Sequence, residues 1–147
     1  MITGREPNII RCMEPEIAAK QEAARLAAEA RHAAEVEKLE QQIFLKYLKG
    51  RRAEAKLWFI NPLGHKPSTI EPGHPDFTIW VKGKCFCIEM KAAGGKLSKE
   101  QENAISCLQG LDHEVHIAWN AGQATRIVEF YLSVLTTSKN DKPKFND

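Results

Sequence analysis

From Glu16 to Lys49 the chain contains neither glycine nor proline, and strong helix formers fill most of the run. It predicts a long helix, opened by Pro15 as a first-turn residue and closed by Gly50 as its C-terminal cap. Met1 to Met13 reads as irregular. The two halves of the run differ in what they can bury. Up to Ala34 there is alanine and charge, with almost no large apolar side chain and so little area to remove from water. Beyond it, Val36, Leu39, Ile43, Phe44, Tyr47 and Leu48 recur at three and four residues, the mark of a core-facing stripe. Residues 36–49 are therefore expected to be the first helix of a domain. Residues 1–35 are expected to be an N-terminal Ala-rich helical extension, either solvated or binding a partner or a second copy.

The rest of the chain alternates short apolar runs with helical patterns. Leu57-Trp58-Phe59-Ile60, stopped by Asn61-Pro62, reads as a buried strand. Leu63 to Gly73 holds prolines and glycines and reads as a loop. Phe77 to Val81 and Cys85 to Lys91 are strands joined by a hairpin turn at Lys82-Gly83-Lys84. Ala92 to Leu97 is a second loop. A helix is expected from Ser98 to about Leu108, a strand from Val115 to Trp119, and a last helix from about Gln123 to Leu135. Strands interleaved with helices imply an α/β fold, a mixed sheet flanked by helices. The domain is expected over 36–135, with a flexible polar tail over 136–147.

Hydrophobic residues at 43% and charged residues at 27% of 147 are a globular composition, enough for one core. No stretch is apolar enough for a membrane span, and Met1 to Arg11 lacks the apolar centre of a signal peptide. A soluble, cytoplasmic protein with no membrane partner is expected, in the host cytoplasm if the source is viral. Without a secretory signal, Cys12, Cys85, Cys87 and Cys107 are expected to be free thiols rather than disulfides or a zinc site. Charge is uneven. Residues 46–99 hold eleven Lys/Arg against four Asp/Glu, whereas both flanking segments are acidic on balance. A basic surface attracts a polyanion, although a solvated lysine face explains the same count.

That basic segment contains the residues that carry chemistry. Glu89 and Lys91 are two apart in a strand, so both side chains leave one face. Asp76 stands at the entrance of the partner strand, and a hairpin centred on Lys82-Gly83-Lys84 brings it opposite residue 90. Two carboxylates and one ammonium then meet at one end of a sheet. Two carboxylates hold Mg²⁺ or Mn²⁺ with waters retained, and the Met90 backbone carbonyl offers a further oxygen. Such a metal polarises a phosphoryl oxygen and acidifies a bound water, while Lys91 holds the water or offsets charge on the phosphate.

Gly73-His74-Pro75-Asp76, then Ile88-Glu89-Met90-Lys91, then Gly94-Gly95-Lys96-Leu97-Ser98-Lys99-Glu100-Gln101 resembles the core motif of the PD-(D/E)xK nucleases, and within them the VRR-NUC (virus-type replication-repair nuclease) family. The resemblance spans about residues 36–132. It implies a restriction-endonuclease-like core and a metal-dependent DNA endonuclease, phage-like or acting in DNA repair, on branched, flap or junction DNA. It also implies a homodimer. It implies site roles for Gln101 and for an acidic residue of the first helix, Glu37 in preference to Glu40. Gln101 has a purely local role open to it as well, since Ser98-x-x-Gln101 is a capping box. Lys96, Lys99, Arg51 and Arg52 are candidate phosphate contacts. The rival reading is a catalytically silent module, on a nuclease scaffold, that binds nucleic acid or a partner.

Overall fold

The structure, a computed structural model, describes residues 10–54, 56–62 and 71–134. The expected tail over 136–147 and most of the expected Leu63–Gly73 loop lie outside these residues. In chain order the elements are α1 (Ile10–Ala53), β1 (Trp58–Ile60), β2 (Phe77–Val81), β3 (Lys84–Met90), α2 (Lys99–Gly110), β4 (Glu114–Ala118) and α3 (Ala121–Val134). The order of helices and strands is the one the sequence implied. The four strands form one mixed sheet in the order β1-β2-β3-β4. The first three are antiparallel, and β4 runs parallel to β3 because α2 carries the chain back between them.

Helix α1 departs from expectation at both ends. It begins by Ile10 and takes Pro15 into its interior. A proline there forfeits one backbone hydrogen bond close to the helix end. At the other end the helix runs through Gly50 to Ala53, with the Glu54 N–H donating to the Gly50 carbonyl at 3.3 Å. Gly50 is therefore a helix-interior residue and not the cap. Arg51 and Arg52 fill the last turn, where positive charge meets the negative end of the helix dipole. The helix is continuous across residues 35 and 36.

The buried face of α1 is rotated from the expected stripe. Phe44 and Leu48 are fully buried, and Tyr47 and Leu45 pack beside them. Val36, Leu39 and Ile43 remain 36%, 56% and 50% exposed. The face that meets the domain includes Glu37, Glu40 and Gln41 in their place, because this part of α1 passes the polar end of the sheet.

Phe44 meets Phe77 edge-on at 4.9 Å, and Tyr131 of α3 stacks on Phe86 at 4.0 Å. Both phenylalanines lie on the sheet face that also carries Phe59, Ile79, Val81 and Ile88, so α1 and α3 enclose the main core on that side. Helix α2 lies on the other face and packs against β4. β1 is an edge strand of alternating burial rather than a buried run, with only Phe59 turned to the core. The hairpin turn is two residues long. Lys82 and Gly83 both have positive φ, 46° and 85°, the left-handed pair that suits a tight hairpin, and Lys84 already pairs with Val81. The shorter turn shifts the register by one, so Asp76 extrapolates to a place opposite Glu89 rather than Met90.

Candidate active site

The polar end of β2 and β3 gathers the expected trio. Asp76 and Glu89 are 8% and 1% exposed, the two buried acids of the described core. Asp76 precedes β2, and its Oδ2 accepts from the Met90 N–H at 2.8 Å and from Gln41 Nε2 at 3.0 Å. Glu89, next to last in β3, lies with Oε1 3.0 Å from Lys91 Nζ. Lys91 follows the strand, and its own N–H donates to the Ala118 carbonyl at 2.9 Å, which ties it to the end of β4.

Helix α1 closes the site from the side. Glu37 Oε1 is 3.6 Å from Lys91 Nζ, and its Oε2 accepts from the Ala92 N–H at 3.0 Å. Glu40 turns elsewhere and accepts from the Ala121 N–H at 2.7 Å, at the start of α3. Of the two glutamates weighed from the sequence, Glu37 is the one beside Lys91. Gln101 does two things at once. Its Oε1 accepts from the Ser98 N–H at 2.9 Å while its own N–H donates to Ser98 Oγ at 3.2 Å, a complete capping box. Its Nε2 donates to Glu89 Oε1. One amide thus caps α2 and orients a site carboxylate.

Three carboxylates around one ammonium leave the cluster negative. Burial, and then the neighbouring charge of Glu89, raise the Asp76 pKa to about 7 despite the Met90 N–H. Burial raises that of Glu89 as well, with Lys91 pulling the other way. For Lys91, burial acts downward, but the bond to Glu89 and the charges of Glu89, Glu37 and Asp76 outweigh it, and its pKa is raised. Lys91 is therefore held as an ammonium. Surplus negative charge, buried and only partly offset, is the electrostatic setting that a divalent cation relieves. Among the described residues no three His, Cys, Asp or Glu side chains are grouped as a ready metal cage. Asp76 and Glu89, completed by backbone oxygen and water, are a donor set that suits Mg²⁺ or Mn²⁺.

The phosphate candidates divide. Lys96 and Lys99 are exposed on the connection between Lys91 and Gln101, flanking the site, with Lys99 Nζ 3.5 Å from Glu102. Arg51 is paired with Glu54 and Glu129 and lies over the Tyr47 ring, and Arg52 stacks on Trp58 and Phe59. Both arginines sit about 20 Å along the helix axis from Glu37, so they do not join the trio. Gln41, bonded to Asp76, is a further site residue that the sequence does not single out, although it lies one helical turn after Glu37. Its spacing of one turn was the available signal. Among the described cysteines, Cys85, Cys87 and Cys107 are free thiols. No described helix is long and apolar enough to cross a membrane. Comparisons with protein-family models, curated proteins and solved structures found no match.

Proposed function

We propose that this chain is a Mg²⁺- or Mn²⁺-dependent DNA endonuclease of the VRR-NUC kind, its sheet and helices forming a restriction-endonuclease-like core. One observation carries this reading: Asp76, Glu89 and Lys91, separated in sequence, converge in a buried cluster with Glu37 and Gln101 around them. In it, Asp76 and Glu89 would hold the cation, together with the Met90 carbonyl. When bound, the cation polarises the phosphoryl oxygen and acidifies a water. Gln41 and the Met90 N–H fix the Asp76 carboxylate, and Gln101 fixes that of Glu89. Lys91, kept protonated by its carboxylate neighbours, offsets charge that builds on the phosphate. Glu37 holds the ammonium in place. Lys96 and Lys99 steer the polyanion toward the site.

The test is cleavage of labelled duplex, single-strand, flap and four-way-junction DNA with Mg²⁺, Mn²⁺ or chelator. Metal-dependent cutting should fall by at least ~100-fold in Lys91→Ala, the scale at which one charge-stabilising group acts. Equal cutting by wild type and Lys91→Ala would remove the assignment. A silent binding module is favoured by a separate observation, the two carboxylates already engaged on Lys91. Folded protein that binds DNA and cuts none of the panel under any metal would support that module.

A further inference from the structure

Trp58 and Trp80 are directly paired across β1 and β2, and neither belongs to the core. Their neighbours Phe59, Ile79 and Val81 point to the core face and are buried, so the two indoles stand on the opposite face. Trp58 is 59%, Ile60 49% and Trp80 36% exposed there. Register fixes which face this is. Trp80 pairs with Cys85, and Cys85, Cys87 and Glu89 alternate along one side of β3. Thr78 Oγ1, on the same side, lies 3.6 Å from Cys87 Sγ. The tryptophans therefore share a sheet face with Glu89. Four residues of strand, ~13 Å, separate Trp80 from Asp76.

The chemistry of this patch selects its occupant. The Arg52 guanidinium lies 5.4 Å from the centre of the Trp58 ring and 5.2 Å from that of Phe59. Lys84 belongs to the opposite face by register and is paired with Glu114, and Lys56 is paired with Glu54, so Arg52 is the cation that meets the Trp58 ring. Flat, rigid aromatic rings beside a cation suit planar bases joined by phosphates. Duplex bases are already stacked on one another and do not present their faces. Bases of a single strand do.

We propose that Trp58 and Trp80 form a stacking platform for the unpaired bases of single-stranded DNA, on the sheet face that leads to Asp76 and Glu89. This rests on the nuclease reading and adds a substrate feature to it: the single-stranded arm of a flap or frayed end lies over β1 and β2 while the backbone reaches the acids.

The test is fluorescence anisotropy in chelator with two labelled probes, an oligothymidylate and a blunt duplex, at one fixed salt concentration. Wild type is compared with Trp58→Ala, Trp80→Ala, the double variant and Trp58→Phe, each checked for unchanged thermal unfolding. Loss of one stacking ring should weaken oligothymidylate binding by about fivefold or more, leave duplex binding unchanged, and be largely rescued by phenylalanine. Equal weakening on both probes, or no weakening, overturns the platform. So does sedimentation showing a wild-type dimer that Trp58→Ala dissociates, which would assign the patch to a second copy. Metal-dependent cutting alongside unaltered single-strand binding by the double variant removes the platform and leaves the nuclease standing. Absence of both binding and cutting removes the two together.

Discussion

Asp76 is held by opposing demands. Its buried place beside Glu89 disfavours the charged carboxylate, and its pKa is raised to about 7. A cation requires that same carboxylate to be ionised. Because the folded pKa exceeds the ordinary carboxylate value, the contribution to stability is fully present below about pH 4 and is lost as pH rises through about 7. Glu89 acts in the same direction. Unfolding temperature in chelator should therefore fall between pH 5 and pH 8. Mg²⁺ should restore more of it at pH 8 than at pH 5. Asp76→Asn should flatten both dependences. Burial lowers the His116 pKa and acts the other way across this window, so equal slopes for wild type and Asp76→Asn in chelator are the result that would contradict the assigned environment of Asp76.

Two glycines in different elements have opposite expected responses. Gly50 lies inside α1, and an added Cβ there meets nothing within 4 Å. Gly50→Ala should stabilise the protein by about 0.5–1 kcal/mol, the helix-propensity difference between the two residues. A helix ending at Gly50 with a left-handed cap would give a loss. Gly73 has φ of +90°, and an added Cβ would fall 2.3 Å from the Glu100 carbonyl oxygen in the first turn of α2. Gly73→Ala combines backbone strain with a clash against main chain and should cost about 2 kcal/mol or more. It should also reduce cleavage, because the same turn carries Gln101 to Glu89. Chemical denaturation reads the first pair of effects, and the flap assay the second.

At the scale of the whole molecule, α1 is far longer than the layer it covers, about 66 Å for its 44 residues. From Pro15 to His32 every side chain is exposed, and its charges pair along its own surface, as in Glu16–Lys20 and Glu22–Arg25. Exposed pairs of this kind contribute little. Removing residues 1–28, which leaves two turns before Glu37, should shift the unfolding temperature by no more than ~2 °C. A larger and concentration-dependent loss would show that the arm packs against a second copy.

Local rules read a good part of this protein directly. Alternation and the hairpin sufficed to bring Asp76, Glu89 and Lys91 together, one residue out of register, because a strand's period of two and a tight turn fix which side chains meet. The capping signature placed Gln101 in the first turn of α2, while its place beside Glu89 was implied only by the resemblance to the nuclease family. The order of the elements followed from the spacing of apolar residues and breakers. The rotation of α1 did not. Val36, Leu39 and Ile43 have the right period, but the helix turns Glu37, Glu40 and Gln41 to the domain because those residues find an ammonium, backbone N–H groups and a carboxylate at the end of the sheet. Such partners lie 35 to 81 residues away along the chain, beyond the reach of any local pattern. The same limit applied to Arg51, committed to Glu129 of the adjoining α3, and to Trp58. A run of Leu-Trp-Phe-Ile looks buried by composition, and only its place at the edge of the sheet left the tryptophan in solvent. The sequence determined which groups could act together, since that is set by chain geometry over a few residues. Tertiary structure decided which glutamate joined them and which apolar faces stayed open, since that depends on what the packing brings alongside.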